Sequence, residues 1–412
     1  MTEPDVHQQV SDVAAEEWSK VVAILASETG DVALAEEVAQ DAFATALEKW
    51  PTSGIPQRPG AWLLVIARRR AIDRIRREVS GREKSALVAS LEQRTSPALL
   101  AIELSLVRDE QLQLLFACCH PALSVEAQLA LTLRCVAGVK TEHLGRAFLT
   151  SGKTMAQRLV RAKKKIKAAG IPLRMPTDGE LVDRLRVVHH VIYLLYNNGY
   201  LPPGGSALYD ESFTVEAIRL ARLVVRLMPD DAESAGLLAL LLLTEARRAA
   251  RLSTEGELVL LEDQDRTLWN QEYIEQGHAH LEAALRLPGN GQFQILAAIS
   301  SLHADAQTPA DTDWKQIELL YRSLLCHADT PVTRLNHAVA VALAVGPTAG
   351  LLKLEPLEEQ LSNYHYFFGA KAQFLALAER PVEARKAFET GLALTKNNIE
   401  RRFYERKLEE LA

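Results

Sequence analysis

The most informative residues of this chain are cations that could bind phosphate groups. From residue 143 to residue 177 there is no Asp or Glu. The same stretch holds Arg146, Lys153, Arg158, Arg161, Lys163, Lys164, Lys165, Lys167 and Arg174. Because the whole chain of 412 residues has a formal net charge of -6, this is a local concentration of positive charge. Such a concentration indicates a polyanionic partner.

A second basic segment lies closer to the amino terminus and reads AWLLVIARRRAIDRIRR. It combines an apolar stripe (Leu63, Ile66, Ala67, Ile75) with Arg68, Arg69, Arg70, Arg74, Arg76 and Arg77. These cations outnumber the nearby carboxylates that could pair with them, which favours phosphate contact. A solvated face that only aids solubility is the alternative for such a run taken alone. The presence of the acid-free basic segment 143–177 in the same chain favours phosphate contact for both segments.

Charge also divides the chain into two halves. Residues 1–176 carry 24 Lys and Arg against 20 Asp and Glu, whereas residues 177–412 carry 23 against 33. The front half is therefore basic and the back half acidic. Four cysteines in a chain of this size predict a cytoplasmic, reducing location. No apolar run reaches the ~18 residues of a membrane span, so no membrane partner is expected.

Helical periodicity runs through almost the whole sequence and predicts an all-α fold. The first module, in the basic half, should contain a helix at about 13–27 with Trp18, Val21, Val22 and Leu25 on one apolar stripe. A second helix is expected at about 32–49, capped by Asp31, and a third from about Gly60. The second helix is expected to expose an acidic face made of Glu36, Glu37, Gln40 and Asp41. The run PTSGIPQRP at 51–59 predicts an exposed loop between the second and third helices.

The next part of the chain predicts a helix-turn-helix. After a weak pattern over about 78–107, helices are expected near 110–118 and 124–136. Thr141 can then cap a short helix, and a second helix would bury Met155, Leu159, Ala162 and Ile166. In such a motif the second helix enters the major groove of DNA. The candidate contacts on it are Lys153, Thr154, Gln157, Arg158, Arg161 and Lys164, with Gln157, Arg158 and Arg161 on base edges. Lys163, Lys164 and Lys167 are expected on the DNA backbone.

Helical segments fill the remaining chain from about Arg174 to Ala412 and should stack in antiparallel pairs. The stretch 336–374 is close to the ~34-residue tetratricopeptide period. A generic helical bundle is the alternative. The polar break LLEDQDRTLW at 260–269 is a candidate contact loop.

Several residues resemble sites of other chemistry without completing them. SGKT at 151–154 lacks the upstream glycine and the preceding strand of a phosphate-binding P-loop. Cys118, Cys119 and His120, with Cys135 further on, lack the paired spacing of a zinc site. No nucleophile, acid and base occur together in a recognisable pattern. The sequence therefore predicts no catalytic site, no metal and no cofactor.

The order of these segments resembles a family. DVALAEEVAQDAFATALEKW, AWLLVIARRRAIDRIRR, a linker, LALTLRCVAGVKTEHLGRAF and TMAQRLVRAKKKIKA resemble a bacterial RNA polymerase sigma factor of the extracytoplasmic-function group. The chain is similar to the subgroup with a long helical, tetratricopeptide-like carboxy-terminal extension. The resemblance covers essentially the whole chain.

The resemblance implies four parts. Residues 1–80 would be a domain that binds core RNA polymerase through Glu36, Glu37, Gln40 and Asp41. The same domain would open the -10 element of promoter DNA, where the expected contacts are Arg58, Arg68, Arg69, Arg74 and Arg77, with Trp50 and Trp62 as possible stacking groups. Residues 81–107 would be a linker. Residues 108–172 would read the -35 element, and residues 173–412 would regulate activity through a protein or ligand partner.

Alternative functions stay open at this point. A conventional helix-turn-helix regulator, with the helical extension as its sensor, would bind an operator without polymerase. A helical-repeat scaffold with incidental basic patches would have no promoter-dependent activity, and an enzyme is least favoured. One departure from the family pattern affects the motif itself. Its turn usually carries Gly or Pro, but Leu149, Thr150 and Ser151 stand there and Gly152 follows, which leaves the register of the recognition helix open by about one residue.

Overall fold

The computed structural model describes residues 3–78, 88–92, 108–148, 150–200 and 211–411. Throughout these ranges the regular elements are helices, and the only β pairing is a single antiparallel bridge between Leu252 and Leu258. The predicted all-α class is confirmed. In the described ranges, no helix combines the length and the hydropathy that a membrane span requires. The chain divides into two compact units, 1–192 and 193–412.

Three helices open the first unit: α1 (Glu3–Thr29), α2 (Val32–Ser53) and α3 (Pro59–Glu78). Gly30, at φ +66°, provides the left-handed turn between α1 and α2. Asp31 caps α2 as predicted, because its carboxylate accepts the N–H groups of Ala33 at 2.9 Å and Leu34 at 3.2 Å. The predicted apolar stripe of α1 (Trp18, Val21, Val22, Leu25) is buried.

The loop between α2 and α3 is shorter than the proline content predicts. Helix α2 continues through Pro51 to Ser53, and α3 begins at Pro59. A proline at the first helical position costs little, because its missing N–H would have no partner inside the helix. The stretch outside the helices therefore runs only from 54 to 58.

The rest of the first unit contains α4 (Arg108–Cys118), α5 (Val125–Leu131), a π-helical turn (Thr132–Val136), α6 (Thr141–Ala147) and α7 (Gly152–Ala168). Ser124 caps α5, and its hydroxyl accepts the N–H of Ala127 at 3.4 Å. The helix predicted at 124–136 is present, but its last turn is π-helical. Helix α8 (Asp178–Tyr200) follows and crosses into the second unit.

The two predicted modules of the front half pack against each other within this unit. Trp18 on α1 donates its indole N–H to the carbonyl of Cys135 at 3.0 Å. Gln111 on α4 donates to the Ser19 hydroxyl at 3.1 Å. Most of the predicted linker at 81–107 lies outside the described residues. Its described part, 88–92, packs Val88 and Leu91 against α3.

The second unit continues with helices that mostly pack against their neighbours along the chain. They are α9 (Glu211–Leu227), α10 (Ala232–Glu245), α11 (Gln271–Arg286), α12 (Gln292–Asp305), α13 (Trp314–Leu325), α14 (Pro331–Ala344), α15 (Pro347–Leu354), α16 (His365–Leu377), α17 (Pro381–Leu394) and α18 (Asn398–Glu410). The segment 246–270 between α10 and α11 contains only short 3-10 turns. Its Trp269 is buried against Leu243 and Ala246, so the end of the predicted contact loop belongs to the core.

Candidate nucleic-acid interface

Helix α7 carries the basic face that the sequence predicts. Ser151 caps the helix, and its hydroxyl accepts the N–H of Thr154 at 3.1 Å. The predicted apolar stripe is buried: Met155, Leu159, Ala162 and Ile166. The predicted contact residues are all exposed: Lys153, Thr154, Gln157, Arg158, Arg161 and Lys164. A single helix thus separates core positions from a continuous cationic surface.

The turn before α7 depends on Gly145. A Cβ atom added there would lie 2.9 Å from the backbone nitrogen of Gly152, closer than real side chains allow. The N–H of Thr150 donates to the carbonyl of Gly145 at 2.8 Å and closes the turn. Gly145 therefore permits the close approach of α6 and α7 without a glycine or proline at 150 or 151.

Two of the exposed residues on α7 already have partners. The hydroxyls of Thr154 and Ser151 lie 2.9 Å apart, so Thr154 takes part in the cap. Arg158 pairs with Glu126 on α5 at 3.4 Å, with 42% of the arginine side chain exposed. A pair this exposed and this long contributes little and can exchange for a phosphate or a base.

Arg68 on α3 is not the exposed DNA contact that the sequence predicted. Its side chain is completely buried, and its guanidinium donates to Glu28 on α1 through Nη2 at 2.5 Å and Nε at 3.2 Å. Arg68 lies on the side of α3 that faces α1, next to Ala67 and Ala71 in the core. The expectation is therefore wrong for this residue, which ties two helices together.

The other predicted cations of this region differ in their surroundings. Arg58, Arg69 and Arg77 are exposed. Arg74 lies between two carboxylates of α2, at 2.5 Å from Glu37 and 3.3 Å from Asp41. Burial alone would lower the pKa of Arg74, but the hydrogen bonds to Asp41 and Glu37 raise it above its usual value. Arg74 is thus held against the protein, whereas the first three arginines face solvent.

Glu36 is not part of an exposed acidic face. Only 4% of the residue is exposed, and its carboxylate binds Arg134 at 2.6 Å and also Lys163 of α7. The prediction that Glu36 is exposed is wrong because α7 and the π-helical turn cover this part of α2. Near the start of α2, Lys167 lies 2.7 Å from Asp31. Lys163 and Lys167, which the sequence placed on the DNA backbone, thus bind carboxylates of α2 in this structure.

The acidic face that remains is formed by the other three predicted residues. Glu37 and Gln40 are exposed and Asp41 is half-buried. Gln40 donates its amide to Glu36, and Glu37 and Asp41 share Arg74. The net charge of this surface is therefore smaller than the sequence indicates.

Trp50 does not offer the stacking surface that the sequence suggested. It is 1% exposed, and its ring lies 5.4 Å from that of Trp62, which is half-buried. The two indoles pack the end of α2 on the start of α3. Arg58 is the exposed member of the three groups named for this role.

Sequence reasoning missed Arg134. It stands in the apolar run LALTLRCV, is 7% exposed, and places its guanidinium 5.3 Å from the ring centroid of Trp18. Besides Glu36, it binds the carbonyl of Val139 at 2.9 Å. An arginine in an otherwise apolar helix is a signal for a buried partner, because an unpaired buried charge is costly. The sequence does not identify which carboxylate provides that partner.

The cysteines considered for a metal site are buried core residues. Cys118, Cys119 and Cys135 are all inaccessible, and Cys119 hydrogen-bonds Thr132 at 3.3 Å. Burial raises the pKa of the Cys119 thiol to about 12, which disfavours the thiolate that metals bind. Across the described ranges, no cluster of three or more His, Cys, Asp or Glu side chains could hold a metal ion.

A comparison with protein families identifies the front of the chain. Residues 16–80, which cover most of α1 and all of α2 and α3, match the model for sigma-70 region 2. The chain therefore carries a sigma-70 region 2, which supports its membership of the sigma-70 family. Within this region lie the acidic face of α2 and the arginines of α3, and the match indicates a sigma-factor-like role in transcription initiation.

Other comparisons extend over the rest of the chain. Residues 184–285 match a family of unknown function (DUF6596). An uncharacterized protein of Rhizobium meliloti (strain 1021) is 42% identical over 383 residues, which span 92% of this chain and 90% of that protein. The front and back parts therefore occur together in a relative of similar length. No solved structure matches the chain.

Proposed function

We propose that this chain is a sigma factor that binds core RNA polymerase and directs transcription initiation at specific promoters. The observation that carries the proposal is the presence of two features in one chain. One is a sigma-70 region 2 over α1–α3, and the other is the exposed cationic face of α7. A factor that brings polymerase to a promoter needs a protein-binding surface and a DNA-binding surface, and this chain carries a candidate for each.

Helix α7 is the proposed reader of the -35 element. Gln157, Arg158 and Arg161 are exposed on its amino-terminal half, where recognition helices meet base edges. Gln pairs with adenine and Arg with guanine through two hydrogen bonds, and each good pair contributes about 1–3 kcal/mol of discrimination. Lys153 and Lys164 can hold the flanking phosphates, which adds affinity for any sequence.

Helices α2 and α3 are the proposed contacts with polymerase and with the -10 element. Glu37, Gln40 and Asp41 offer polar and acidic groups to a basic protein surface, which would orient docking. Arg58, Arg69 and Arg77 face solvent and could hold the displaced strand. Arg68 is excluded from this set by its buried pair with Glu28.

In the isolated chain, the first unit has to open before both surfaces can work. Lys163 and Lys167 on α7 bind Glu36 and Asp31 on α2. Glu36, one of the predicted polymerase contacts, cannot bind polymerase while it holds α7, and α3 and α7 can reach two separated promoter elements only if they move apart. We therefore propose that polymerase binding replaces these contacts between α2 and α7, which are called here the α2–α7 seam.

Zero-length carbodiimide cross-linking, followed by mass spectrometry, tests this opening. The reagent joins a lysine to a carboxylate in direct contact, so it should link Lys167 to Asp31 in the isolated chain. Addition of core polymerase should greatly reduce this cross-link. Lys371 and Glu358, which pair at 2.8 Å in the second unit, provide an internal control that should not change. An undiminished Lys167–Asp31 cross-link in the polymerase complex would exclude the opening.

The second unit is the proposed regulatory part. The resemblance to sigma factors with a tetratricopeptide-like extension supports a regulatory role for residues 173–412, and the acidic charge of this half suits a protein surface rather than DNA. A chain ending at residue 192 keeps the first compact unit. It should retain DNA binding but differ from the full chain in transcription. Identical transcription by both chains, in cells and with purified polymerase, would remove this role.

Transcription with purified components tests the main proposal. Core RNA polymerase and fragmented bacterial genomic DNA are incubated with and without the chain, and the 5′ ends of the transcripts are sequenced. We expect discrete start sites, with a shared upstream sequence, only when the chain is present. The absence of such sites would reject the sigma-factor role.

The alternative of a stand-alone DNA-binding regulator rests on the exposure of α7 in the isolated chain. It predicts tight, sequence-specific binding without polymerase. DNA selection with the chain alone distinguishes the two, because a sigma factor should select weakly until core polymerase is added.

A further inference from the structure

The second unit contains a cavity that does not belong to the proposed DNA and polymerase surfaces. Its volume is about 490 Å³, within the range of small-molecule sites. It lies between α16, α17 and α18. The apolar walls include Leu260, Ala376, Leu377, Phe388 and Leu411.

Polar side chains close one end of this cavity around a single carboxylate. Glu400 is 8% exposed and accepts the hydroxyl of Tyr366 and, at 3.3 Å, that of Thr395. The His365 ring nitrogen Nε2 lies 3.6 Å from the same carboxylate. Tyr404 donates its hydroxyl to the backbone carbonyl of His365 at 2.8 Å, which fixes the ring at the cavity wall.

The lysine that borders this cavity, Lys407, pairs with Glu410 at 2.8 Å and not with Glu400. Among the described residues, no lysine or arginine side chain pairs with Glu400. Burial lowers the pKa of His365 against the opposing effect of Glu400, so this imidazole is mostly neutral near pH 7. The charge of Arg251 opposes the rise in the pKa of the neighbouring Tyr366 that burial causes. The guanidinium of Arg251 itself lies 3.8 Å from the ring centroid of Tyr200 and donates to the Tyr200 carbonyl.

Aromatic rings surround the carboxylate end of the cavity. Tyr366, Phe388, Phe403 and Tyr404 line it together with Glu400. Gly391 makes room for Tyr404, since a Cβ there would lie 2.5 Å from the tyrosine ring. Aromatic faces attract cations, most strongly where water is excluded. A buried carboxylate next to several rings favours an organic cation over a neutral molecule or an anion.

We propose that this cavity binds an organic ammonium ion, with its charged nitrogen at Glu400 and its apolar body between Phe388, Leu260 and Leu411. Glu400 also borders a second space of about 720 Å³, but that space is lined by Asn197, Asn336, Asn363 and Lys396. A lysine borders each of the two spaces, but Lys407 of the first cavity pairs with Glu410 at 2.8 Å, and the amide groups of the second space do not suit an apolar body. The first cavity therefore fits the ligand better.

An irregular segment forms the remaining wall and is attached to α18. Leu260 belongs to the stretch between α10 and α11 that lacks long helices. Arg402 donates to the carbonyl of Gly256 at 3.0 Å, and Arg406 pairs with Glu257. The part of the segment near Leu260 is thus attached to α18 by exposed polar contacts, which can open to admit a ligand more easily than a packed helix.

Calorimetric titration of the full chain with three probes of equal length tests the site. Octylamine carries the ammonium group, octanol is neutral, and octanoate carries the opposite charge. We expect octylamine to bind once per chain, and octanol and octanoate to bind about tenfold more weakly or not at all. Failure of octylamine to bind, or equal binding of octanol or octanoate, would overturn the proposal.

Two substitutions test whether the carboxylate of Glu400 binds the ammonium group. Glu400→Gln keeps the shape and should weaken octylamine binding by about tenfold. Glu405→Gln is the matched control, because Glu405 lies on the same helix, is exposed, pairs with Arg401 at 3.1 Å and does not border the cavity. It should leave binding unchanged. Equal binding by Glu400→Gln and the unaltered chain would contradict the role of the carboxylate.

A cavity-filling variant covers the case in which Glu400→Gln does not fold. Ala376 lines the cavity and is half-buried, so Ala376→Trp can fill the space without removing Glu400. Its circular dichroism should match that of the unaltered chain, and octylamine binding should be lost. Persistent binding would place the ligand elsewhere. The readout is heat of binding, so the result does not depend on the role of the chain in transcription.

Discussion

Helices α3 and α7 are similar in the sequence and different in the structure. Both combine an apolar stripe with many cations. On α3, Arg68 binds Glu28 and Arg74 binds Glu37 and Asp41, so two of its cations hold neighbouring helices. On α7, Lys163 and Lys167 also bind a neighbouring helix, but Lys153, Arg161 and Lys164 are exposed and form no ion pair within the described ranges. A dense run of cations therefore does not by itself indicate a DNA-binding surface.

The difference follows from where each cation lies on its helix. Positions on the core side of a helix are buried whatever their charge, and a buried cation requires a carboxylate partner. The amino-terminal half of α7 has its core positions occupied by Met155 and Leu159, so its cations all lie outside. Substitution of a buried arginine on α3 should therefore lower stability. Substitution of an exposed cation on the amino-terminal half of α7 should instead weaken DNA binding.

The largest expected effect is on stability and concerns α3. Arg68→Met removes the buried partner of Glu28 and should destabilise the first unit by about 3–5 kcal/mol. Arg69→Met, at the exposed neighbouring position, should change stability by less than about 0.5 kcal/mol. Urea unfolding followed by circular dichroism measures both. If the two variants had equal stability, the structural role of Arg68 would be wrong.

The next effect concerns the packing of α6 against α7. Gly145→Val places side-chain atoms where the backbone of Gly152 already lies, and should cost about 1–3 kcal/mol. It should also weaken DNA binding, because α7 would be displaced. Gly179→Val is a suitable control, since no atom lies within 4 Å of an added Cβ there. Equal unfolding midpoints for the two variants would argue against the close approach.

DNA binding by α7 should separate into two kinds of residue. Arg158→Ala should reduce discrimination between promoter sequences by about 1–3 kcal/mol. Lys164→Ala should weaken binding to all sequences alike and reduce the salt slope by about 1. Titrations of the polymerase complex with promoter and unrelated DNA, at several salt concentrations, measure both quantities. If both variants lost affinity without loss of discrimination, α7 would contact only the backbone.

The smallest effect is on the pH dependence of the α2–α7 seam. Burial raises the pKa of Asp31, but hydrogen bonds from Lys167 and from the N–H groups of Leu34 and Ala33 lower it below its usual 3.8. A lowered folded-state pKa stabilises the fold above the unfolded value, and this stabilisation is lost as the pH falls below about 4. Lys167→Met should remove less than about 1 kcal/mol of it, because the lysine is exposed.

Unfolding free energies at pH 7 and pH 3 test this seam contact. The difference between the two values should be smaller for Lys167→Met than for the unaltered chain. Lys164→Met, which lacks a carboxylate partner in the described ranges, should match the unaltered chain. An equal pH dependence for all three chains would show that Lys167 does not stabilise the ionised form of Asp31.

Local features of the fold could be predicted from the sequence. The helix class, the Asp31 cap, the stripe of α1 and the division of α7 into buried and exposed positions depend on residues within a few turns of one another. Helix periodicity and capping are short-range effects, so they are visible in the sequence. The domain limits and the functional roles of the exposed residues stay predictions.

The errors concerned partners that lie far apart in the chain. Arg134 reaches Glu36 across 98 residues, and Arg68 reaches Glu28 across 40. The periodicity of α2 predicted an exposed Glu36, because periodicity within one helix does not show which other helix packs against it. The carboxylate of Glu400 and the aromatic rings around it likewise come together only when α16, α17 and α18 pack.

Transcription by core RNA polymerase with charge-reversed chains tests the central claim most directly. Lys153→Glu with Arg161→Glu reverses charge on α7, and Lys315→Glu with Lys353→Glu makes the same change in the second unit. The account predicts that the first pair abolishes the discrete start sites and that the second pair leaves them in place. Start sites that persist with the first pair would contradict the account.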